Sequence, residues 1–385
     1  MKSVGYKILN QDVQNFITAN LDKDLHTLLL KKSPFPEVTM QEIVQQIKGK
    51  QVAHKKFPFL LQEGIIFPPQ LNLEQSSSEK TAVYKSSFLK GKRFIDLTCG
   101  FGIDAYYLSQ NFEEITLIEQ NTDLLKIVEH NWTVLGKRAE FINVKLEDFL
   151  NKNKENFDVI YLDPARRDSS KNKVFLLEDL SPDILEIQDH LLSISNEIVI
   201  KLSPLIDLKY LVFVLKNVSK IAIIAVKNDV KEVVVYLSHE DPGKVICHSV
   251  NLESGESDFI FQFGEEENAH SEYTEPERFI YLPNNSILKA GTFNLISERF
   301  GVQKLHPNTH IYTSKEKVEN FPGRIIEMEV IENKQIKKKE QYNIISKNYP
   351  LKPDEIKKKY GIKDGGERYL IFTQSKKGKI ILKSI

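Results

Sequence analysis

The run Arg93-Phe94-Ile95-Asp96-Leu97-Thr98-Cys99-Gly100-Phe101-Gly102 constrains this chain more than any other stretch, because an apolar strand ends there in an acid and a turn with two close glycines. Glycine has no Cβ, so Gly100 and Gly102 let the backbone reverse sharply and let a ligand lie against bare main chain where the next helix begins. A second apolar run, Ile115-Thr116-Leu117-Ile118, ends in Glu119. That places a carboxylate about 20 residues on, where ribose hydroxyls are held in such units. Strand, glycine turn, helix, strand and acid describe a nucleoside-binding βαβ unit.

Further apolar runs extend the pattern. Strands are expected at 93–97, 115–119, 139–144, 158–162, 198–202, 221–226 and 233–237. Helical intervals separate the first six, which calls for right-handed crossovers and hence a parallel, doubly wound sheet; the last two are close enough for a hairpin. Two more runs, 245–250 and 259–263, extend the sheet's edge. Gly100-x-Gly102-x-x-Ala105 also satisfies the dinucleotide pattern, so the unit by itself leaves NAD open as a cofactor. Downstream, Phe157-Asp158-Val159-Ile160-Tyr161-Leu162 leads into Asp163-Pro164-Ala165-Arg166-Arg167. A carboxylate and a proline-stiffened turn thus fall at the carboxyl end of a later strand, the edge where open parallel sheets bind ligands.

These segments resemble the motifs of class I S-adenosylmethionine-dependent methyltransferases: residues 96–102 motif I, Glu119 the ribose-binding acid of motif II, and Asp163-Pro164 motif IV. Asp148 resembles the acid that holds the adenine amino group. Ser77-Ser78-Glu79-Lys80-Thr81-Ala82-Val83-Tyr84-Lys85, Lys201-Leu202-Ser203-Pro204, Asn348-Tyr349-Pro350-Leu351 and Asp364-Gly365-Gly366-Glu367-Arg368-Tyr369-Leu370 occur with them. Together they are similar to bacterial methyltransferase-like proteins with a small ferredoxin-like segment and a C-terminal THUMP-like domain. The resemblance spans residues 75–385. It implies a seven-stranded class I methyltransferase sheet, with S-adenosylmethionine held by Asp96, Thr98, Gly100, Gly102, Glu119, Asp148 and Asp163. It also implies a structured RNA acceptor, tRNA or rRNA, because THUMP domains help position such molecules. The expected domains are an N-terminal helical region at 1–75, the methyltransferase domain at 76–264, the ferredoxin-like segment at 278–322 and the THUMP-like domain at 323–385.

In the helical region, Val13, Phe16, Ile17 and Leu21, then Ile43, Val44 and Ile47, recur at helical spacing. Phe57-Pro58-Phe59-Leu60 and Ile65-Ile66-Phe67-Pro68-Pro69 form a proline-broken connector or wall near the pocket, and a helix follows from Glu79 through Leu89. In the tail, strands are expected at 279–282, 325–331, 342–345, 369–372 and 379–382, with helices over 287–300 and 353–360.

Charge is informative only in its distribution, since Lys plus Arg and Asp plus Glu both number 53. Residues 253–277 hold nine acids and no Lys or Arg, and their second half reads as a linker. Residues 324–385 hold 16 basic against eight acidic groups, a candidate nucleic-acid surface or an ordinary solvated face. Cys99 and Cys247 give neither a disulfide framework nor a clustered metal site, so no metal is expected. No apolar run reaches the roughly 20 residues a bilayer span needs, and a cytoplasmic location is expected.

Methyl transfer is an in-line displacement, so a protein has to align the acceptor and take up any proton it loses. Asp163 is the group placed for that; the bland alternative is a cap on the turn after its strand. Ala165 departs from the Asp-Pro-Pro-aromatic form of amino-methylating enzymes, which argues against base amino methylation. No cysteine lies near the fourth or fifth strand to serve a pyrimidine C5 mechanism. Arg166 and Arg167 are substrate-contact candidates as phosphate clamps, or else partners of Asp168 or Glu178. Lys85, Asp163, Lys201 and Glu232 resemble the Lys-Asp-Lys-Glu set of ribose 2′-O-methyltransferases, which makes Lys201 a catalytic candidate and Lys85 a substrate-side one. Lys337-Lys338-Lys339 and Lys357-Lys358-Lys359 are candidates for phosphate contact, while Tyr342, Tyr349, Tyr360 and Tyr369 are candidates for stacking on bases or, as their apolar strand context favours, for the core. Rival readings are a noncatalytic RNA-binding protein that keeps the scaffold and a small-molecule or protein methyltransferase.

Overall fold

The computed structural model describes residues 6–69, 73, 76–166 and 176–385. The chain divides into one unit of Met1–Ser219 with Val234–Pro242 and another of Lys220–Val233 with Gly243–Ile385.

The first unit opens with helices α1 (Gln11–Ala19), α2 (Leu25–Leu29) and α3 (Met40–Lys56). Thr39 caps α3 in a reciprocal box with Glu42, satisfying two orphan donors, and Val13, Ile17, Ile43 and Ile47 bury one shared face. The proline-broken connector then lies along the glycine turn: Phe57 and Phe67 pack their rings on Phe101 at 6.2 and 6.4 Å, and Phe59 stacks on Tyr106 at 4.7 Å.

Next come α4 (Glu79–Ser86), β1 (Arg93–Asp96), α5 (Ile103–Leu108), β2 (Glu114–Ile118), α6 (Thr122–Val134), β3 (Glu140–Ile142), α7 (Leu146–Lys152) and β4 (Phe157–Leu162). They continue into α8 (Ile184–Ile194), β5 (Ser195–Leu202), α9 (Leu208–Val214), β6 (Val218–Val226) and β7 (Asp229–Ser238). Helix α4 stops three residues short of its expected end. The strands run in the order β3-β2-β1-β4-β5-β7-β6. Pairing is parallel between β1 and β2, β1 and β4, β2 and β3, and β4 and β5. Phe94, Ile95, Ile160, Ile198, Val199 and Ile200 are all fully buried, as a sheet covered on both faces requires. Sheet order reverses between β1 and β4, which opens a crevice at their carboxyl ends.

In the second unit, β6 and β7 meet at Lys227-Asn228, both at positive φ, the geometry of a two-residue hairpin turn. Strand β8 (Ile246–Leu252) pairs parallel to β6, and β9 (Phe259–Gln262) pairs antiparallel to β8. The sheet therefore has nine strands where the resemblance implied seven, because β6 would otherwise present an unpaired edge.

A second, seven-stranded sheet follows, built from β10 (Phe279–Pro283), β11 (Gln303–His306), β12 (Thr309–Ser314), β13 (Gly323–Ile331), β14 (Gln341–Ser346), β15 (Lys363–Ser375) and β16 (Gly378–Ser384). Its order is β11-β12-β10-β13-β16-β15-β14. One strand, β13, is shared: its first half pairs with β10 and its last four residues pair with β16. The hairpin β11–β12 was not expected from sequence, since Gln-Lys-Leu-His and Thr-His-Ile-Tyr carry little apolar alternation.

The helix expected over 287–300 is two helices, α10 (Asn285–Ala290) and α11 (Phe293–Phe300), broken where Gly291 takes φ 75°. Helix α12 (Pro353–Tyr360) has its expected bounds. The acidic stretch is packed structure, not a linker: Glu266 accepts the Asn294 and Leu295 amides at 2.8 Å, Glu265 pairs with Arg299 at 2.5 Å, and Tyr273 bridges to Lys304. Glu266 thereby caps α11 and Glu265 makes an ion pair.

Candidate functional site

Strand β1 delivers Asp96 to its carboxyl end almost fully buried. Burial lifts its pKa well above the carboxylate range, with Asp104, Asp163 and Glu119 adding to the effect and the Thr98 amide opposing it. That amide donates to Asp96 Oδ1 at 2.9 Å, while Thr98 Oγ1 accepts the Asp163 amide at 2.7 Å, tying the glycine turn to the end of β4. Gly100 and Gly102 both take positive φ, 54° and 76°. The two serve different ends. A Cβ on Gly100 would meet only the Thr98 carbonyl oxygen at 3.8 Å, so open space lies above it, whereas a Cβ on Gly102 would stand 2.9 Å from Val128 Cγ1. Gly100 thus forms the cradle, and Gly102 lets α6 pack beneath it.

Glu119 closes the other side. Its Oε2 accepts the Gly100 amide at 3.0 Å and its Oε1 the Asn121 amide at 2.8 Å. Burial raises its pKa against those two hydrogen bonds. Hydrogen bonds thus tie Asp96, Thr98 and Asp163 into one set and Gly100 and Glu119 into another, and the backbone of the turn carries both. Asp148 stands apart with an exposed side chain in the first turn of α7 and bonds to none of them.

Behind Asp163 lies a buried charge cluster. Lys201, near the end of β5, places its ammonium 2.5 Å from Asp163 Oδ2 and 3.4 Å from Asp104 Oδ2. Lys85, on α4 and fully buried, pairs with Asp104 Oδ1 at 2.7 Å. Ser77 Oγ donates to Asp104 Oδ2 at 2.6 Å and accepts both ammonium groups at 3.1 Å; Tyr161 donates to the same Oδ2 at 2.8 Å. Burial alone would raise the pKa of Asp104, but the two lysines, with hydrogen bonds from Lys85 and Ser77, hold it well below the ordinary range. Two cations and two carboxylates balance. Asp163 is the member that reaches the surface, its side chain 36% exposed, and burial raises its pKa against the pull of Lys201.

Asp104, Ser77 and Tyr161 complete this cluster and were not among the expected site residues. An acid in the otherwise apolar first turn of α5, just past Gly102, was the available signal. Lys85, expected on the substrate side, instead lies under Asp104 with no exposed surface, because α4 packs its last turn inward. Glu232 is buried on β7 in the second unit. Arg166 is exposed on a two-residue ribbon, Ala165–Arg166 against Leu180–Ser181, and Arg167 and Asp168 lie outside the described residues. Glu178, a proposed arginine partner, takes the Tyr210 hydroxyl. Among the described residues no group of His, Cys, Asp and Glu is arranged to hold a metal, and no helix is long and apolar enough to cross a membrane.

Three family models match in succession: one described as conserved hypothetical protein 95 at residues 79–185, a ferredoxin-like domain at 279–322 and a THUMP domain-like model at 324–383. The crystal structure of a proposed methyltransferase from Porphyromonas gingivalis W83 is 31% identical, covers 97% of this chain and 96% of its own, and superposes with a TM-score of 0.85. An uncharacterized RNA methyltransferase of Protochlamydia amoebophila (strain UWE25) is 26% identical over 148 residues, 36% of this chain. The match spans only 33% of that relative's length.

Proposed function

This chain belongs to the class I S-adenosylmethionine-dependent methyltransferase-like family with ferredoxin-like and THUMP-like C-terminal domains, and from that premise we propose that it methylates a structured RNA. The observation that carries the reading is that the turn holding Gly100 against Glu119 also carries Thr98, whose hydroxyl accepts the amide of the partly exposed Asp163. Cofactor and acceptor sites of a group transfer have to lie side by side, and a turn shared by the glycines and Thr98 supports that reading.

The open space above Gly100 and the acid across it fit a nucleoside. Gly100 and Glu119 would hold the ribose and main-chain side of S-adenosylmethionine, with Asp96 beneath and Asp148 toward the adenine. When bound, that cofactor supplies an electrophilic methyl group on sulfur. The chain's own residues do the rest. Asp163 accepts the proton that an acceptor oxygen or nitrogen loses, and its raised pKa makes it a better base than an ordinary surface carboxylate. Lys201 fixes the orientation of that carboxylate, and Asp104, Ser77 and Lys85 fix Lys201. Arg166 at the rim supplies a phosphate contact, as does the basic tail. Ala165 in place of an aromatic-bearing motif disfavours stacking of a flipped adenine, so a hydroxyl acceptor suits this site better than an exocyclic amine.

Calorimetric titration with S-adenosylmethionine and with NAD, on the wild type and Asp96→Ala, tests the first half. Binding of the former alone, weakened in the variant, is expected; binding of NAD alone would overturn the family-based reading. For the second half, Asp163→Asn and Lys201→Ala are expected to lower methyl transfer to cellular RNA by about 10²–10⁴-fold, the usual worth of a general base, while cofactor affinity holds. Undiminished transfer by both variants would remove Asp163 and Lys201 from the chemistry.

A further inference from the structure

Asp364-Gly365-Gly366-Glu367-Arg368-Tyr369 takes no part in the site above, yet it shapes the start of β15. Tyr342 of β14 pairs with Asp364 and Asn343 with Tyr369, so the β14 ladder skips residues 365–368. Gly365 and Gly366 make that excursion, at φ 107° and 80°, and Asn343 Nδ2 holds it by donating to the Gly366 carbonyl oxygen at 2.6 Å. A Cβ on Gly365 would meet nothing within 4 Å, so bare main chain faces open space there.

The excursion delivers Arg368 to a ring. Its Cζ lies 4.7 Å from the ring centre of the buried Tyr342, whose hydroxyl donates to Glu340 Oε2 at 2.5 Å. Glu340 Oε1 stands 3.7 Å from Arg368 Nη2, close enough to steer the guanidinium and too far for a hydrogen bond. The Arg368 side chain makes no hydrogen bond among the described residues and is 47% exposed. A planar cation is thus held against one ring with its N–H donors unspent. Backbone pairing brings further cations alongside. The Lys339 amide donates to the Gly361 carbonyl oxygen at 2.8 Å and the Lys363 amide to that of Glu340 at 2.8 Å, while a Cβ on Gly361 would lie 3.5 Å from Lys338 Cγ. Lys338, Lys339 and Lys363 are exposed. Of the acids nearby, Asp364 is held by Lys357 and Glu340 by Tyr342, which leaves Glu367 against four cations.

A point charge would serve any anion, but a guanidinium backed by a ring offers a flat outer face as well, and arginine planes are surfaces on which unpaired bases stack. We propose that Arg368, seated on Tyr342 beside the open Gly365-Gly366 main chain, is a contact point for single-stranded RNA: an unpaired base stacks on the outer face of the guanidinium while its edge N–H groups reach the adjoining phosphate. The glycines keep side chains out of the path of the sugar-phosphate backbone, and Lys338, Lys339 and Lys363 extend the track. This inference rests on the RNA reading above and gives that reading a place on the chain.

The test uses the full chain. A short labelled single-stranded RNA and the duplex of the same sequence are titrated by anisotropy, across a salt series, with the wild type, Arg368→Lys, Arg368→Gln and Arg324→Gln. Arg324 is the control: its Cζ lies 5.5 Å from the ring centre of Tyr369, on the opposite face of the same sheet, and its replacement changes the net charge equally. Arg368→Lys keeps the charge and loses the plane, so it is expected to weaken single-strand binding roughly tenfold, the scale of one stacking contact, at an unchanged salt slope. Arg368→Gln is expected to lose at least as much, with a slope shallower by about 0.7. The duplex, whose base faces are covered, should be affected by Arg368→Gln and not by Arg368→Lys, and Arg324→Gln should weaken single-strand binding less than either change at 368. Wild-type affinity in Arg368→Lys, equal losses of single strand and duplex in that variant, or an equal loss in Arg324→Gln would each overturn the stacking site while the RNA reading stands. Binding of neither RNA by the wild type overturns the site together with the RNA reading.

Discussion

At the scale of single residues, two glycines two positions apart are expected to fail differently. Both take positive φ, so alanine at either strains the backbone by about 1–2 kcal/mol. Gly102→Ala adds a collision with Val128 and Trp132, and urea denaturation is expected to show the larger stability loss there. Gly100→Ala adds no collision within the protein but fills the cradle, so its main effect should be on S-adenosylmethionine affinity in calorimetry. Asp104 carries the other residue-scale prediction. Asp104→Asn leaves two buried ammonium groups without their shared partner, a loss of about 3–5 kcal/mol. The sign with pH is set by its depressed pKa: the unfolded chain binds the proton first, so the stabilisation is complete above the ordinary aspartate pKa and shrinks as pH falls below about 4. Wild type and variant should therefore converge in stability in acid and diverge toward neutrality; a gap independent of pH would show that Asp104 acts through shape alone.

At the scale of elements, β13 is the joint of the C-terminal sheet, and Gly323 is where it passes closest to β10. A Cβ there would lie 2.1 Å from the Leu282 carbonyl oxygen although φ is unremarkable, so the requirement is for space and not for conformation. Gly323→Ala is expected to cost about 1–3 kcal/mol, the usual range for overpacking, and to speed amide exchange along 279–283. Element existence was largely legible from sequence, because long apolar runs such as Ile198 to Leu202 permit little else. Element boundaries were not. Helix α10 stops at Gly291 and the β11–β12 hairpin forms from polar residues, since both depend on what packs against them.

For the whole molecule, formal neutrality hides a polar division of labour. In the acidic stretch Glu266 is taken up in a helix cap and Glu265 in an ion pair, while Lys337, Lys338 and Lys339 remain exposed in the C-terminal sheet domain. Lys357, by contrast, is held by Asp354 at 2.7 Å and Asp364 at 3.2 Å. Replacing the first triplet with Gln is therefore expected to flatten the salt dependence of RNA binding by about 2, three phosphate contacts at roughly 0.7 each, and more than the same change at residues 357–359. Salt slopes unchanged by the first triplet would place RNA elsewhere on the chain.

The sequence by itself determined the glycine turn, because Asp96, Gly100, Gly102 and Glu119 lie within one βαβ unit whose spacing follows from local backbone geometry. It also named Asp163 and Lys201, each at the end of its own strand, where parallel topology brings strand ends together. Only the tertiary structure decided that Asp104 stands between Lys201 and Lys85, turning a substrate-side lysine into a buried structural one. It alone brought His306 and Thr309 up to Asn348, some 40 residues on in the chain. The reason is physical: a pattern reports which residues share a face of their own element, whereas counter-ions are chosen by whichever elements close over them, and that choice is made in three dimensions.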